Sequence, residues 1–498
     1  MLSRRAFLHL VSSAAAGAAL PACADAPVRS PRPVQRPAVT PASLPAPRSV
    51  EAIIARADLG GQVGFTAIDL DTGQTIETLN GDALLPPASV AKAVTAVYAL
   101  EALGADHRFA TRVLTTGTVR DGTLAGDLIL MGGGDPTLDT DALAGLVNTL
   151  HARGLRRVDG RFLVHGGALP RIDQIADDQP VQAGYNSTVS GLNLNFNRVH
   201  FQWNRSGSDY TVVMDARSAA HQPRVSMAEM RVINRQVPVY TFSSENGRDR
   251  WTVARAALGG GGARWLPVRQ PELYAADVFR TLAAGRGITL PQGQVVTAGV
   301  SAGTALAEHR SDPLHDLVRS MLRFSTNITA EALGLAATQA RGGSVRSLSA
   351  SAGVMNRWAT QRFDMGRPGF VDHSGLGAQA TVPMTDLARF FAITAQQGPL
   401  PDLLRRHDML DTNRNVIPNH PLDVRAKTGT LNFASALGGV VQTPGARRYA
   451  FAIAAADLPR RARLTGDDRE RPEGSIAWTR RARRMQQELI ERWGALGA

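Results

Sequence analysis

Ser89 and Lys92 stand three residues apart in a stretch almost free of charge: between Pro87 and Gly104 only Lys92 and Glu101 are charged. At that spacing two side chains leave the same face of a helix. The alanine- and valine-rich run from Ala93 to Leu100 predicts one, ended by Gly104. A helix apolar on nearly all sides belongs inside a domain, where lysine is almost never found without a partner or a purpose. A serine hydroxyl beside a partly desolvated amine is an activated nucleophile. The bland alternative is a helix-capping serine followed by a snorkelling lysine.

Two later groups favour the chemical reading. Ser325-Thr326-Asn327 supplies S-x-N, and Lys427-Thr428-Gly429, followed by Thr430, supplies K-T-G. S-x-x-K, S-x-N and K-T-G in this order resemble the signature of the penicilloyl-serine transferases. The resemblance runs from about Val50 to Trp493. It is strongest to the D-alanyl-D-alanine carboxypeptidase/endopeptidase branch of the penicillin-binding proteins, the low-molecular-mass class C. That branch is marked by the long stretch between Lys92 and Ser325, by Gly133-Gly134-Asp135-Pro136 and by Leu192-Asn193-Leu194-Asn195. Ala330-Glu331-Ala332-Leu333 and Asp372-His373-Ser374-Gly375-Leu376 resemble it too. Thr326, where aspartate is more common, and Gly377-Ala378-Gln379-Ala380 depart from the family pattern.

The resemblance implies an α/β (α+β) fold, a penicillin-binding transpeptidase/β-lactamase-like domain of antiparallel sheet and helices carrying a mostly β insertion. It implies that Ser89 attacks the bond between two D-alanines of a peptidoglycan stem peptide, forming an acyl-serine that water clears, and that β-lactams acylate it. Lys92 would take the serine proton, Ser325 would bridge Lys92 to the leaving amine, and Asn327 would hold the substrate amide. Lys427 would pair with the terminal carboxylate, with Thr428 and Thr430 adding hydroxyls beside Gly429. Backbone N–H groups of Ser89 and Thr430 would form the oxyanion hole. Neither metal nor cofactor is expected, since the histidines show no H-E-x-x-H spacing. A serine β-lactamase remains an alternative, although no separate deacylating glutamate motif is evident. So does a catalytically silent wall-binding protein, which has no reason to keep all three motifs.

The rest of the chain must position these groups. Residues 1–23 read as an export signal, with Ser3-Arg4-Arg5-Ala6-Phe7-Leu8 of twin-arginine type. Leu20-Pro21-Ala22-Cys23 resembles a lipoprotein box, with cleavage after Ala22 or Ala26 without lipid as the alternative. Cys23 is the one cysteine, so no internal disulfide forms. Residues 24–48 are a proline-rich tether. A periplasmic enzyme is expected, touching a membrane only through lipid on Cys23. The formal charge of +12 is mostly arginine and scattered, without the basic, aromatic-interleaved face of nucleic-acid binders.

Residues 49–111 and 301–498 are expected to form the catalytic part and 112–300 the insertion. Val63–Leu70 and Gln74–Leu79 predict a hairpin about Asp71-Thr72-Gly73. Leu124–Leu130 predicts a strand, Asp135-Pro136 a helix start, and Gly259–Gly262 a boundary. Helices are predicted from Pro271 to Gly285, Met384 to Gln397 and Ile476 to Trp493, and Lys427 is expected to open a strand.

Overall fold

The structure is a computed structural model and describes residues 44, 46–297, 303–470 and 472–496. The expected export signal, Cys23 and nearly all of the tether lie outside them. Among the described residues no helix is long and apolar enough to cross a membrane.

Strands from both ends of the chain join in an antiparallel sheet in the order Asp423–Leu431, Ala434–Gln442, Arg448–Ala456, Gln62–Asp69 and Thr75–Leu79. The central strand Arg448–Ala456 shows why both sides are covered. Ala450, Ala452, Ala454 and Ala456 face one apolar core, and Tyr449, Phe451, Ile453 and Ala455 face another. Successive side chains of a strand point to opposite faces, so a strand without polar alternation is buried on both. The alanines admit the helix Met384–Gln397, whose Phe390 and Phe391 fill that side. The larger residues meet the terminal helices Val50–Ala57 and Ser475–Leu496 through Trp478 and Trp493.

The helix Ala91–Leu103 is buried along most of its length, Lys92 included. It packs against Leu314–Phe324 and Asn327–Ala340. Between them the chain passes through a second five-stranded sheet and leaves and returns on neighbouring strands. Ala110–Thr115 pairs antiparallel with Thr304–Arg310, with Ala110 opposite Arg310. The other strands there are Leu128–Met131, Phe162–His165 and Gly293–Val295. Three smaller three-stranded sheets and the helices Thr140–Ala152 and Pro271–Gly285 complete this stretch around a core of its own.

Several local expectations change. Leu124–Leu130 divides into two strands, Thr123–Ala125 and Leu128–Met131, because Gly126 sits between them at φ 154° and turns the chain. The helix after Gly134 starts at Thr140, capped by Asp139, whose carboxylate accepts from Ala142 N at 2.8 Å. Asp135 instead folds onto Thr137, accepting from its N and Oγ1 at 2.8 Å. The run Gly259–Gly262 is no boundary: Gly261 and Gly262 begin the strand Gly261–Pro267, paired with Asn204 and Trp203. Lys427 lies at the middle of its strand, which opens at Asp423.

Candidate active site

Ser89 sits in a single 3₁₀ turn, Ala88–Val90, that leads into the buried helix. Ala88 is held at φ 44°, a left-handed conformation that a residue with a side chain rarely adopts. The turn is gripped from two sides by backbone that approaches too closely for a side chain. A Cβ on Gly429 would lie 2.7 Å from Pro87 O and 3.0 Å from Ser89 N. A Cβ on Gly375, itself at φ 75°, would fall on Ala88 O. The glycine of K-T-G therefore lets the edge strand lie against the Ser89 turn.

Lys92 Nζ donates to three oxygens, each at 2.8 Å: Ser89 Oγ, Asn327 Oδ1 and the carbonyl of Ser374. Burial pushes this amine down to about 8, against the pull of Glu331 and Asp372 behind it. Those two carboxyls are themselves buried. Glu331 accepts from His373 N at 3.0 Å and Ser374 N at 2.9 Å. Asp372 accepts from Ser374 N at 3.1 Å and from Gly375 N and Gly377 N at 2.6 Å. Together they fix the loop whose Ser374 carbonyl holds Lys92. Burial, followed by the charge of Asp372, raises Glu331 to about 8, and burial raises Asp372 as well. His373 is pushed down to about 3 by burial and so stays neutral. Its Nε2 closes a chain of hydroxyls, Ser351, Thr338 and Tyr98.

S-x-N spans the break between two helices. Ser325 ends Leu314–Phe324 in the left-handed region, at φ 58°, and Asn327 begins Asn327–Ala340. The kink sends the two side chains to different partners. Ser325 Oγ accepts from Lys427 Nζ at 3.0 Å, and no hydrogen bond joins Ser325 to Lys92. Asn327 links Lys92 to the carbonyl of Tyr185, to which its Nδ2 donates at 3.0 Å. Lys427 also donates to Thr428 O at 2.7 Å. Burial, with the like charge of Lys92, lowers it to about 7. Alternation along the strand puts Thr428 and Thr430 on the face toward the C-terminal helix, where both stay exposed and Arg483 donates to Thr430 Oγ1 at 3.2 Å.

Ser89, Lys92, Ser325, Asn327, Lys427 and Gly429 are thus brought together from three separate parts of the chain, with Thr428 and Thr430 at the rim of the site. Sequence reasoning gave no role to Glu331, Asp372 or Tyr185. A signal for Glu331 was present, because it is the one charged residue in the helix Asn327–Ala340.

A serine turn leading into a buried helix, set against the edge of an antiparallel sheet with lysines on both sides, fits a serine enzyme of the penicillin-binding class. The family model for the D-Ala-D-Ala carboxypeptidase 3 (S13) family matches residues 46–468, and the chain belongs to that family of serine carboxypeptidases. Among its relatives, the D-alanyl-D-alanine carboxypeptidase of Actinomadura is 26% identical over 430 residues, 79% of this chain and 78% of that one. D-alanyl-D-alanine carboxypeptidase DacB of Haemophilus influenzae is 25% identical over 284 residues, covering 55% of this chain and 58% of that protein. The crystal structure of penicillin binding protein 4 from Haemophilus influenzae shares the fold, with a TM-score of 0.72 at 22% identity over 90% of this chain and 98% of that one.

Proposed function

We propose that Ser89 is the nucleophile of a D-Ala-D-Ala carboxypeptidase with DD-endopeptidase activity on peptidoglycan stem peptides. The observation that carries this reading is the fully buried Lys92 amine, 2.8 Å from Ser89 Oγ and held far below its ordinary value. A neutral Lys92 takes the hydroxyl proton as Oγ bonds to the carbonyl carbon. Ser325 Oγ already accepts from Lys427, so its own hydrogen is free to pass to the leaving amine as the C–N bond breaks, and Ser325 is restored by the proton that Lys92 took from Ser89. Water then attacks the acyl-serine: the neutral Lys92 takes its proton and returns it to Ser89 Oγ as the acyl bond breaks.

The two lysines have unequal tasks. Lys427 must be charged to hold the substrate carboxylate, yet in the empty site burial leaves it lower than Lys92. An anionic carboxylate reverses the order: it holds the proton on Lys427, and the resulting like charge helps discharge Lys92. Substrate binding in this way makes its own base. Asn327, turned between Lys92 and Tyr185 O, receives the substrate amide by exchanging one of these partners. The Ser89 and Thr430 N–H groups, on the two sides of the Gly429 contact, serve as oxyanion hole.

Labelled penicillin tests the reading: a long-lived adduct on Ser89 is expected. A rapidly hydrolysed adduct would make the protein a β-lactamase, and absence of any adduct would make it a silent wall-binding protein. The catalytic part comprises 49–111 and 301–498, and 112–300 is inserted into it. The enzyme is exported to the periplasm and lipidated at Cys23. If Cys23→Ser leaves fractionation and palmitate labelling unchanged, the lipid is refuted and simple cleavage stands.

A further inference from the structure

The outer face of the K-T-G strand borders a cleft of about 970 Å³. Its walls are the edge-strand residues Thr428 and Gly429, the end of the helix Leu314–Phe324, the segment 405–414 and the C-terminal helix. Ten arginines and four carboxylates line it. The carboxylates are largely spoken for. Glu488 is shared by Arg48, Arg56 and Arg484 at 3.3, 3.5 and 3.0 Å, and Asp411 accepts from Asn413 N and Asn415 N at 2.8 Å. Among the described residues Arg323, Arg414, Arg480 and Arg483 have no carboxylate within 4 Å. A concave wall with an excess of one sign focuses its field into the cavity. Arginine forks match carboxylates in particular.

The cleft adjoins one end of the reactive groups. Arg323 stands two residues before Ser325, which passes a proton to the leaving amine, and Thr428 follows Lys427, which holds the carboxylate beyond that amine. A lone alanine would leave such a volume almost empty, since pockets of this size enclose drug-sized ligands.

We propose that the arginine-lined cleft beside Thr428 is a subsite for the leaving strand of a crosslinked substrate, a peptide bearing several carboxylates. This rests on the reading of Ser89 given above. The chemistry is unchanged: the same acyl–Ser89 bond forms, and the amine that departs carries a second acidic peptide in place of one alanine.

The test uses the full chain and the Arg323→Gln/Arg414→Gln/Arg480→Gln variant. The probes are a crosslinked acidic stem-peptide dimer, the same dimer with its free carboxylates amidated, and a short N-acylated peptide ending in D-Ala-D-Ala. The variant should raise KM for the acidic dimer about tenfold, as loss of three partly screened ion pairs does. It should leave kcat, the short peptide and penicillin acylation unchanged, and wild type should treat the amidated dimer as the variant treats the acidic one. Equal KM for acidic and amidated dimers in wild type would overturn the subsite, as would an equal change for the short peptide. Should the variant fail to fold, salt replaces it: the wild-type KM for the acidic dimer must rise between low and high salt while that for the short peptide does not. Binding of a fluorescent acidic dimer separates the two readings. Tight, variant-sensitive binding without any penicillin adduct on Ser89 refutes the catalytic reading and upholds the subsite, and an adduct without such binding does the reverse.

Discussion

The order of the two lysines makes the pH profile of acylation diagnostic. In the free enzyme the reactive form has Lys92 neutral and Lys427 charged, the minority arrangement when burial sets them at about 8 and about 7. Below pH 7 Lys92 keeps its proton, and above pH 8 Lys427 has lost its own. The second-order acylation rate with penicillin reports the free enzyme and should be bell-shaped, peaking near pH 7.5. The reactive form falls away toward both pH 6 and pH 9, and because the charge of Lys92 lowers Lys427 the two limbs belong to the pair and not to either amine alone. The acylation rate at saturating penicillin reports the complex, where the bound carboxylate keeps Lys427 charged. It should rise through the Lys92 value and reach a plateau with no alkaline fall. Stopped-flow acylation between pH 5.5 and 10 measures both. Relative to an ordinary lysine at 10.5, burial of Lys92 raises the neutral fraction at pH 7 by about 300-fold, so the effect is large. A second-order rate flat from pH 6 to 9 would refute the reasoning. So would a Lys92→Arg enzyme within about tenfold of wild type, since arginine is not a base at these pH values.

Other outcomes follow from the same contacts. Gly429→Ala places a methyl against backbone at Pro87 and Ser89 that cannot yield, so acylation should fall at least about 100-fold, the scale of a lost oxyanion donor, while thermal unfolding stays cooperative. Glu331→Gln removes the larger of the charges that raise Lys92, and the saturating-rate limb should move to lower pH. It also turns an amide N–H toward a backbone N–H of His373 or Ser374, costing about 1–3 kcal/mol in a urea melt. Arg269 donates to the carbonyls of Asp173, Asn186 and Val181. Arg269→Lys cannot reach all three, and a loss of about 2 kcal/mol should appear as a lower denaturation midpoint with an unchanged slope.

Much of the candidate site was legible because two signals met: a charge inside an apolar helix needs a reason, which picked out Lys92 beside Ser89, and the S-x-N and K-T-G motifs supplied Ser325, Asn327 and Lys427. Lys92 obeyed the first visibly. Glu331 obeys it equally, alone in N-I-T-A-E-A-L-G-L-A-A, but its partners are backbone N–H groups of a loop 42 residues away in sequence, which no local pattern records. The helices Pro271–Gly285 and Met384–Gln397 matched to the residue, since proline and glycine mark their ends. The start of the K-T-G strand was missed because Asp423-Val424-Arg425 alternates charge with an apolar residue at a sheet edge, where turns read the same way. The oxygen that Ser325 presents to Lys427 depends on a left-handed kink at a serine, a conformation set by the two helices that meet there.

Asn327 accepts from Lys92 through its amide oxygen and donates its amide N–H to the carbonyl of Tyr185, which belongs to the long stretch between the first two motifs. That stretch is therefore not freely exchangeable. A chimera that imports the same region from a relative inherits a working nucleophile only if the transplanted loop brings a carbonyl to the same spot.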